Sequence, residues 1–433
     1  MNHKREVLGW SMYDWANSAF STTVATTFLG PYLASLAEPR GGTVNFLGLQ
    51  IEGAAFFPFC VSISVILQVL LLPILGSIAD YSHLKKQMML AFAYAGATTT
   101  IVLFFVQADT IVLGGILFIL ANLAFGAALV FYNAFLPEIA SPDERDSVSS
   151  QGFAFGYVGG GVLLFLNLIL VSTMENTALA VRVSLASAGI WWLLFTYLFP
   201  QRRLVARDPT RRLPAGESYI SHSLKQLVTT LKELRTKYPK TLRFLIAYLL
   251  YNDGIQTVIV VSTLFASEEL GIGVETLVLV VLMIQFVASI GAYLFNLLAK
   301  RVGAKNSIMF NLTIWIVLLI YAYALLSTVL QFWVLGAALA LVLGGSQALS
   351  RSLFSHMIPD NRESEYFSFY EISERGTSWI GPLVFGLAVQ VTGTQRISIL
   401  SLVIFFAVGI ALLYFTNVRQ AIQESGNEVP AVI

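Results

Sequence analysis

The chain has 433 residues, of which 56% are apolar and only 12% are charged, and its formal net charge is +1. Soluble domains carry about 25% charged residues, and the mean hydropathy here is +0.74. A soluble domain of this composition would expose too much apolar surface to stay dispersed in water. Soluble enzymes, nucleic-acid-binding proteins and disordered scaffolds are therefore disfavoured.

Metal and catalytic chemistry have little support in the sequence. The single cysteine, Cys60, cannot form an intrachain disulfide or a site with several thiolates, and the four histidines lack the spacing of metal ligands. No Gly-rich phosphate loop of the P-loop kind is present. We therefore expect no cofactor, no metal site, no nucleic-acid partner and no enzymatic activity.

Twelve apolar runs reach the roughly 20 residues that a membrane-spanning helix needs. The first run is too long for the apolar core of a signal peptide. We therefore predict an all-α polytopic membrane protein with twelve transmembrane helices in two pseudo-symmetric six-helix bundles. The predicted spans are residues 8–36, 54–79, 87–107, 111–136, 149–173, 181–200, 241–266, 275–299, 306–328, 331–357, 368–392 and 395–417.

The longest polar stretch, residues 201–240, separates the two halves. It predicts three parts: an N-terminal bundle (1–200), a linker (201–240) and a C-terminal bundle (241–433). Apolar residues at helical spacing between Ser221 and Lys237 predict an amphipathic helix on the membrane surface, with a loosely ordered linker as the alternative.

The distribution of basic residues predicts the orientation. With both termini in the cytosol, only Arg40, Arg182 and Arg396 fall on the other side of the membrane. We therefore expect a multi-pass protein with cytoplasmic termini, in the cell membrane (inner membrane) if the source is bacterial.

The two halves resemble each other in sequence. PDERD at 142–146 matches PDNRE at 359–363, and each follows the fourth span of its half. Repeats of six helices with the same orientation imply a two-fold axis along the membrane normal and a binding site near the midplane, between the halves.

The loop after the second span reads GSIADYSHLKK at residues 76–86. Gly76, Asp80, Lys85 and Lys86 resemble the signature that the major facilitator superfamily carries in this loop, although His83-Leu84 departs from its commonest form. The glycine allows close helix approach. The carboxylate can hold the cytosolic side shut by accepting hydrogen bonds from a helix N-terminus or by pairing with a cation, and the eleventh span, expected to begin near residues 367–369, is the candidate partner.

Further segments narrow the resemblance to the "unknown major facilitator" family, which is related to autophagy-linked vacuolar amino-acid effluxers. They are GWSMYDWANSAF (9–20), YNAFLPE (132–138), GYVGGG (156–161), GGSQALSRSLF (344–354) and GTQR (393–396). The resemblance implies a twelve-helix transporter; for fungal members it implies export of amino acids from a degradative compartment, and for bacterial members it fixes no substrate.

Polar side chains form stripes on four of the spans. Polar groups facing lipid are costly, so the stripes predict a water-filled cavity, and spans 1, 4, 7 and 10 line the cavity in the superfamily. The stripes consist of Tyr13, Asp14, Asn17, Ser18 and Ser21; Asn122, Tyr132 and Asn133; Asn252, Asp253, Gln256 and Thr257; and Ser346, Gln347, Ser350 and Arg351.

Several charges in these spans have two interpretations. Asp14 and Asp253 are candidates for binding a substrate cation or a coupling proton, or they lie at the membrane interface. Arg351 is expected to clamp a carboxylate or phosphate, or to form a structural pair with Asp14, Asp253 or Glu371. Glu371 and Arg375, at the spacing of a salt bridge within a helix, are candidate gate residues, or they form a solvated helix end.

We predict a monomeric secondary active transporter that contacts membrane lipid and is coupled to protons. An amino acid is the favoured small-molecule substrate. The alternatives are a sugar or drug transporter of the same fold, and a membrane receptor or scaffold that binds a partner through residues 201–240.

Overall fold

A computed structural model describes residues 2–207, 213, 217–375 and 380–433. Ten helices in this part are long and apolar enough to cross a membrane. The helices of the first half are α1 (Asn2–Ala19), α2 (Leu29–Ala37), α3 (Gly53–Asp80), α4 (Lys85–Val102), α5 (Ile111–Ala134), α6 (Leu136–Ile139), α7 (Arg145–Thr173), α8 (Thr177–Leu198) and α9 (Pro200–Arg203).

The linker carries α10 (Tyr219–Thr236), so the predicted amphipathic segment is helical; Asp208, Arg211 and Arg212 lie outside the described residues. The helices of the second half are α11 (Pro239–Glu269), α12 (Val274–Val302), α13 (Ala304–Leu325), α14 (Val329–His356), α15 (Glu363–Arg375), α16 (Ile380–Thr392), α17 (Gln395–Ser398), α18 (Val403–Tyr414) and α19 (Val418–Glu424).

The first predicted span is divided by a π-helical segment, Phe20–Phe28, between α1 and α2. The hydroxyl groups of Thr26 and Thr27 donate to the carbonyl oxygens of Ser21 and Thr22, each at 2.8 Å and five residues back along the chain. Wider turns of this kind are rare and frequently occur at functional sites. The hydropathy pattern gave no sign of this interruption.

The eleventh predicted span is also in two described parts, α15 and α16. Its start near residues 367–369 was predicted wrongly, because the helix begins at Glu363. The Asp80 carboxylate accepts hydrogen bonds from the first turn of α15. An acceptor at that position satisfies N–H groups that have no partner within the helix, so the polar residues 363–367 are helical as well.

A short hairpin of β1 (Thr43–Phe46) and β2 (Leu49–Glu52) joins α2 to α3, and it was not predicted. Leu47 and Gly48 connect the strands with φ values of 52° and 84°, as in the two-residue turns that match strand twist. The end of the molecule that carries this hairpin is called the hairpin side.

The opposite end carries α9, α10 and α19 and is called the linker side. Arg207 binds Glu6 at 2.9 Å, Lys240 binds Glu424 at 2.5 Å, and the Ala431 N–H donates to Asp143 at 2.8 Å. Both ends of the chain therefore lie on the same side of the bundle.

The ten long helices and the two divided spans, α1–α2 and α15–α16, form the described part of a twelve-helix membrane bundle in two pseudo-symmetric halves. One buried apolar cluster runs from Val7 to Leu204, and the other lies within Leu234–Ile422 apart from Ala134. The halves meet along two related seams, α3 against α15 and α7 against α12 and α14. Each half thus has its own core, and the contacts between halves are a separate layer.

The predicted interfacial positions of two tryptophans are wrong. Near the ends of the predicted spans, the sequence places Trp10, Trp191, Trp192 and Trp333, and tryptophans at such positions are expected to anchor the chain at the membrane interface. Trp10 and Trp192 are fully buried, and the Trp10 indole donates to the carbonyl of Tyr132 at 2.7 Å. Both rings are part of the core of the first half.

We expect the two sides to label from opposite faces of the membrane. In a Cys60→Ser background, Leu47→Cys in the hairpin turn should react with an impermeant maleimide on intact cells, and Leu84→Cys only after permeabilisation. Leu47 and Leu84 are exposed, whereas Cys60 is buried, so background labelling should be low. Reaction of both variants from the same face would contradict the topology.

Candidate functional site

The Asp80 carboxylate lies across the first seam, at the start of α15. Its two oxygens accept hydrogen bonds from the main-chain N–H groups of Ser364 and Glu365 at 3.0 and 2.8 Å. A carboxylate at this place also interacts favourably with the helix dipole. Gly76, one turn earlier in α3, packs against the Ser364 main chain and leaves no space for a side chain.

The two lysines of the same loop have different partners. The Lys85 ammonium is 2.6 Å from Glu138 and 3.6 Å from Glu363, so it bridges both halves. Lys86 donates to the carbonyl of Gln201 at 2.9 Å, within the first half. Of the predicted gate residues in this loop, Gly76, Asp80 and Lys85 therefore contact the other half, and the hydrogen bond of Lys86 does not cross the seam.

The second seam is closed by residues of the repeated PDERD segment and of α7. Arg145 donates to the carbonyl of Ser355 at 2.9 Å, and Ser352 donates to Asp146. The next residue, Ser147, donates to Asn296 at 3.3 Å. The sequence marked this segment as a repeat but gave no indication of its partners.

Arg351 is enclosed by the opposite half of the molecule. Its guanidinium is 3.1 Å from Asp14 and also donates to the Ser149 hydroxyl at 2.9 Å and the Ser149 carbonyl at 2.8 Å. The rings of Phe153 and Trp10 lie 4.1 and 4.7 Å from the guanidinium carbon. The geometry is that of the structural pair with Asp14, one of the two interpretations considered for Arg351.

The Asp14 carboxylate has a second partner in its own half. The Tyr132 hydroxyl donates to the same oxygen at 2.8 Å, and Arg351 donates to Asn133 at 3.3 Å. Asp14 and Arg351 are 7% and 2% exposed. Removing one member of a buried ion pair typically costs about 3–5 kcal/mol because the other charge is left unpaired, so this pair resists separation of the halves.

Glu371 and Arg375 lie at the innermost layer of contacts. Asn133 donates to Glu371 at 2.7 Å, and the Arg375 Nε donates to the same carboxylate at 3.3 Å. The Arg375 guanidinium lies over the ring of Phe125 at 4.7 Å. Glu371 is fully buried, whereas the Arg375 side chain remains 21% exposed, so Arg375 retains access to solvent.

Two further polar pairs join the halves at this depth. The Tyr157 hydroxyl donates to Gln347 at 2.5 Å, and the Gln285 amide donates to Thr22 at 2.6 Å. The polar stripes predicted Gln347 but missed the other three residues. Tyr157 and Gln285 stand alone among apolar neighbours in sequence, so periodicity gave no signal for them.

The stripe of the first span divides between two environments. Asp14 faces the second half, as does Thr22 outside the predicted stripe. Tyr13 is buried in the first half, 5.0 Å from the Tyr132 ring, and Asn17 is buried as well. Tyr13 and Asn17 therefore lie inside the first bundle in this conformation.

The stripe of α11 faces both parts of the interrupted eleventh span, α15 and α16. Asn252 donates to the carbonyl of Glu374 at 2.9 Å, and Asp253 accepts from the Gly381 N–H at 2.7 Å. Gln256, one turn further, is half-buried. In the described part of the chain, no cluster of His, Cys, Asp and Glu is placed to hold a metal ion.

The contacts between halves form three layers that all lie on the linker side of the bundle or at its middle. The outer layer contains Asp80 and Arg145, the next Arg351, and the innermost Arg375. Within the described residues, no hydrogen bond joins the halves closer to the hairpin side than that between Thr22 and Gln285. The structure is therefore closed on its linker side.

We expect Asp80→Ala to loosen this closure. The change removes two charge-assisted hydrogen bonds, worth about 1.5–3 kcal/mol each, and should slow cross-linking of a Ser147→Cys/Asn296→Cys pair by a short bifunctional thiol reagent. Lys86→Ala is the matched control, since its hydrogen bond stays within one half. An unchanged rate in Asp80→Ala would show that the capped helix does not hold the seam.

Known proteins match this chain over almost its whole length. Residues 2–426 match the model of the family described as "Vacuole effluxer Atg22 like". The uncharacterised MFS-type transporter YxiO of Bacillus subtilis (strain 168) is 31% identical, over 97% of each chain. Autophagy-related protein 22 of Pyricularia oryzae is 26% identical, over 99% of this chain and 78% of its own length.

Solved structures show the same fold at low sequence identity. A bacterial homologue of the iron transporter ferroportin, in an outward-facing state, has a TM-score of 0.67 and 14% identity over 96% of this chain and 98% of its own. The proton:xylose symporter XylE has a TM-score of 0.67 and 13% identity over 95% and 94%. The chain thus belongs to the Vacuole effluxer Atg22 like family and has the fold of major facilitator superfamily transporters.

Proposed function

We propose that this transporter moves a small zwitterion, an amino acid, across the membrane by alternating access, driven by protons. The observation that carries the proposal is the half-buried Arg375 at the innermost contact layer, beside Glu374 and one turn from Glu371. A zwitterion needs a cation for its carboxylate and an anion for its ammonium, and both lie together here.

Arg375 is better placed than Arg351 to bind a carboxylate in this conformation. Arg351 binds Asp14, Ser149 and Asn133 of the first half, and its side chain is 3% exposed. The hydrogen bond of Arg375 uses Nε, and its guanidinium plane lies over Phe125. Its terminal nitrogens can form the paired hydrogen bonds that arginine makes with a carboxylate.

The side chains around Arg375 suit a small polar ligand. Glu374 is half-buried next to it. Gln256 and Gln347 are half-buried at the same level. Ligand sites near the midplane, between repeats, are typical of transporters built from two like halves.

Alternating access requires that the linker-side layers separate while the hairpin side closes. The Asp80 cap, the Arg145 bond and the Arg351–Asp14 pair would all break in that step. Each is a polar contact that water can replace once the seam opens, so separation exchanges protein partners for solvent. We assign the gating role to Gly76, Asp80, Lys85 and this ion pair.

Reversible protonation of a buried carboxylate would couple the proton gradient to the binding and release of substrate. Asp14, Asp253 and Glu371 are buried acids at the interface of the halves or beside the interrupted eleventh span. Glu371 is the strongest candidate, since it binds Asn133 of the first half and Arg375, one turn further along its own helix. A neutral Glu371 would bind Arg375 less strongly and leave it to the substrate.

Three further proposals concern the domain boundaries, the orientation in the membrane and the oligomeric state. We place the domain boundaries at 1–200, 201–240 and 241–433, with the linker side in the cytoplasm and the chain as a monomer. Ten basic residues in 201–240 support the cytoplasmic position. For a bacterial source the membrane is the inner membrane.

A receptor or scaffold on the same fold differs from a carrier in one measurable respect. A carrier produces flux of radiolabelled amino acid into proteoliposomes without any partner protein, whereas a receptor binds ligand without flux. A sugar or drug transporter would show flux of those compounds and none of amino acids. These assays test the proposal directly.

We expect Arg375→Ala to weaken amino-acid binding by at least about 30-fold, since two charge-assisted hydrogen bonds are lost. The measurement is a thermal-shift titration of purified protein, because a ligand raises apparent stability by mass action. Arg375→Lys should retain part of the affinity. Arg301→Ala, an exposed cation at the end of α12, is the control. Equal affinity in wild type and Arg375→Ala would show that Arg375 does not bind the substrate.

Glu371→Gln should keep counterflow exchange of substrate but lose acceleration by an inwardly or outwardly directed proton gradient. The amide preserves the shape of the side chain without its titration. Asp109→Asn, in the loop before α5 on the hairpin side, should transport as the wild type does. If the gradient still accelerates uptake in Glu371→Gln, the same test applies to Asp14→Asn and Asp253→Asn. Acceleration that persists in all three variants would refute carboxylate coupling.

A further inference from the structure

The linker helix α10 presents three different faces around its circumference. Ser223, Thr230 and Leu234 are almost fully buried against the bundle. At 100° per residue they fall within an arc of about 40°. A second arc of about 80°, centred roughly 100° away, is apolar and exposed. It consists of Ile220, Leu224, Val228 and Leu231, with exposed fractions of 62%, 48%, 68% and 52%.

A basic edge borders this apolar stripe. Lys225 and Lys232 follow it on the side away from the buried face, and Arg235 lies at its C-terminal end. All three side chains are exposed. Lys225 also binds Glu217 at 2.8 Å. An apolar stripe with lysine and arginine along its border is the pattern of helices that lie in the surface of anionic membranes.

The buried face of α10 contacts residues of both halves at the α3–α15 seam. Glu233 and Thr230 bind Arg362, and Thr230 also binds Glu365. Glu365 supplies one of the two N–H groups that Asp80 caps. On the other side of the seam, His222 lies edge-on to the Tyr81 ring at 4.5 Å. The helix therefore crosses the α3–α15 seam on the linker side.

From these contacts we infer that α10 is a binding surface for anionic phospholipids, and that such lipids stabilise the linker-side-closed conformation. Lipid is the fitting partner because only two residues separate α10 from the membrane-spanning helix α11, which keeps α10 near the level at which α11 leaves the bilayer. A helix held in the leaflet keeps its opposite face against Arg362 and Glu365. The inference rests on the proposed function only in treating the seam as a gate, and its readouts need no transport.

The first test measures whether the stripe contacts lipid. Spin labels at Val228→Cys and Thr229→Cys, both in a Cys60→Ser background, compare neighbouring positions on the apolar stripe and on the solvent side. In phosphatidylcholine vesicles with phosphatidylglycerol, we expect the label at 228 to be accessible to oxygen and the label at 229 to a water-soluble nickel chelate. Access of the nickel chelate to both labels would overturn the inference.

The second test measures the effect on the gate. Cross-linking of Ser147→Cys/Asn296→Cys should proceed faster in phosphatidylglycerol-containing vesicles than in pure phosphatidylcholine, by at least about fivefold, the factor that one basic residue at an anionic surface provides. Lys225→Gln/Lys232→Gln/Arg235→Gln should abolish the difference and leave the rate in phosphatidylcholine unchanged.

A matched triple variant controls for loss of positive charge. Lys4→Gln/Arg5→Gln/Arg301→Gln removes three exposed cations of the linker side that lie outside α10. It should respond to phosphatidylglycerol as the wild type does. An equal response in the α10 variant and the control variant, or no response in the wild type, would overturn the inference even if amino-acid transport is confirmed.

Discussion

The position of one buried cation governs how the halves meet. Arg351 belongs to the second half, yet its partners Asp14, Ser149 and Asn133 all belong to the first. An unpaired charge at this depth is costly, so the halves cannot separate here until water or another anion replaces Asp14. The ion pair is thus a contact that exists in one conformation and must be lost in another.

The other layers have the same character. Within each half, the contacts are apolar and extensive, as the two core clusters show. Between the halves on the linker side, many contacts are polar: a carboxylate on main-chain N–H groups, an arginine on a carbonyl, and a glutamate on an amide. Apolar cores keep each half rigid, and polar seams can exchange their partners with solvent. This division is what rigid-body movement of two bundles requires.

The fold and much of the site could be predicted from the sequence, because they depend on local patterns. Span lengths follow from hydropathy, and the loop at 76–86 left a helix N-terminus or a cation as the partner of Asp80. The first turn of α15 donates to this carboxylate, and Lys85 lies 3.9 Å from it. What could not be predicted depends on which face of a helix is buried. Tyr13 and Asp14 are neighbours in one polar stripe, but Tyr13 packs inside the first half and Asp14 at the interface. Gln285, Ser149 and the π-helical turn have roles set only by tertiary packing.

The central claim is that the linker-side contacts are a gate that opens while the hairpin side closes. Pulsed electron–electron double resonance on two pairs of spin labels, Leu84/Arg419 on the linker side and Leu47/Leu330 on the hairpin side, measures both ends of the same protein. All four side chains are exposed. With Asp14→Asn, which weakens the pair with Arg351, we predict a longer Leu84–Arg419 distance and a shorter Leu47–Leu330 distance. Changes of the same sign at both ends, or no change at either, would contradict the account.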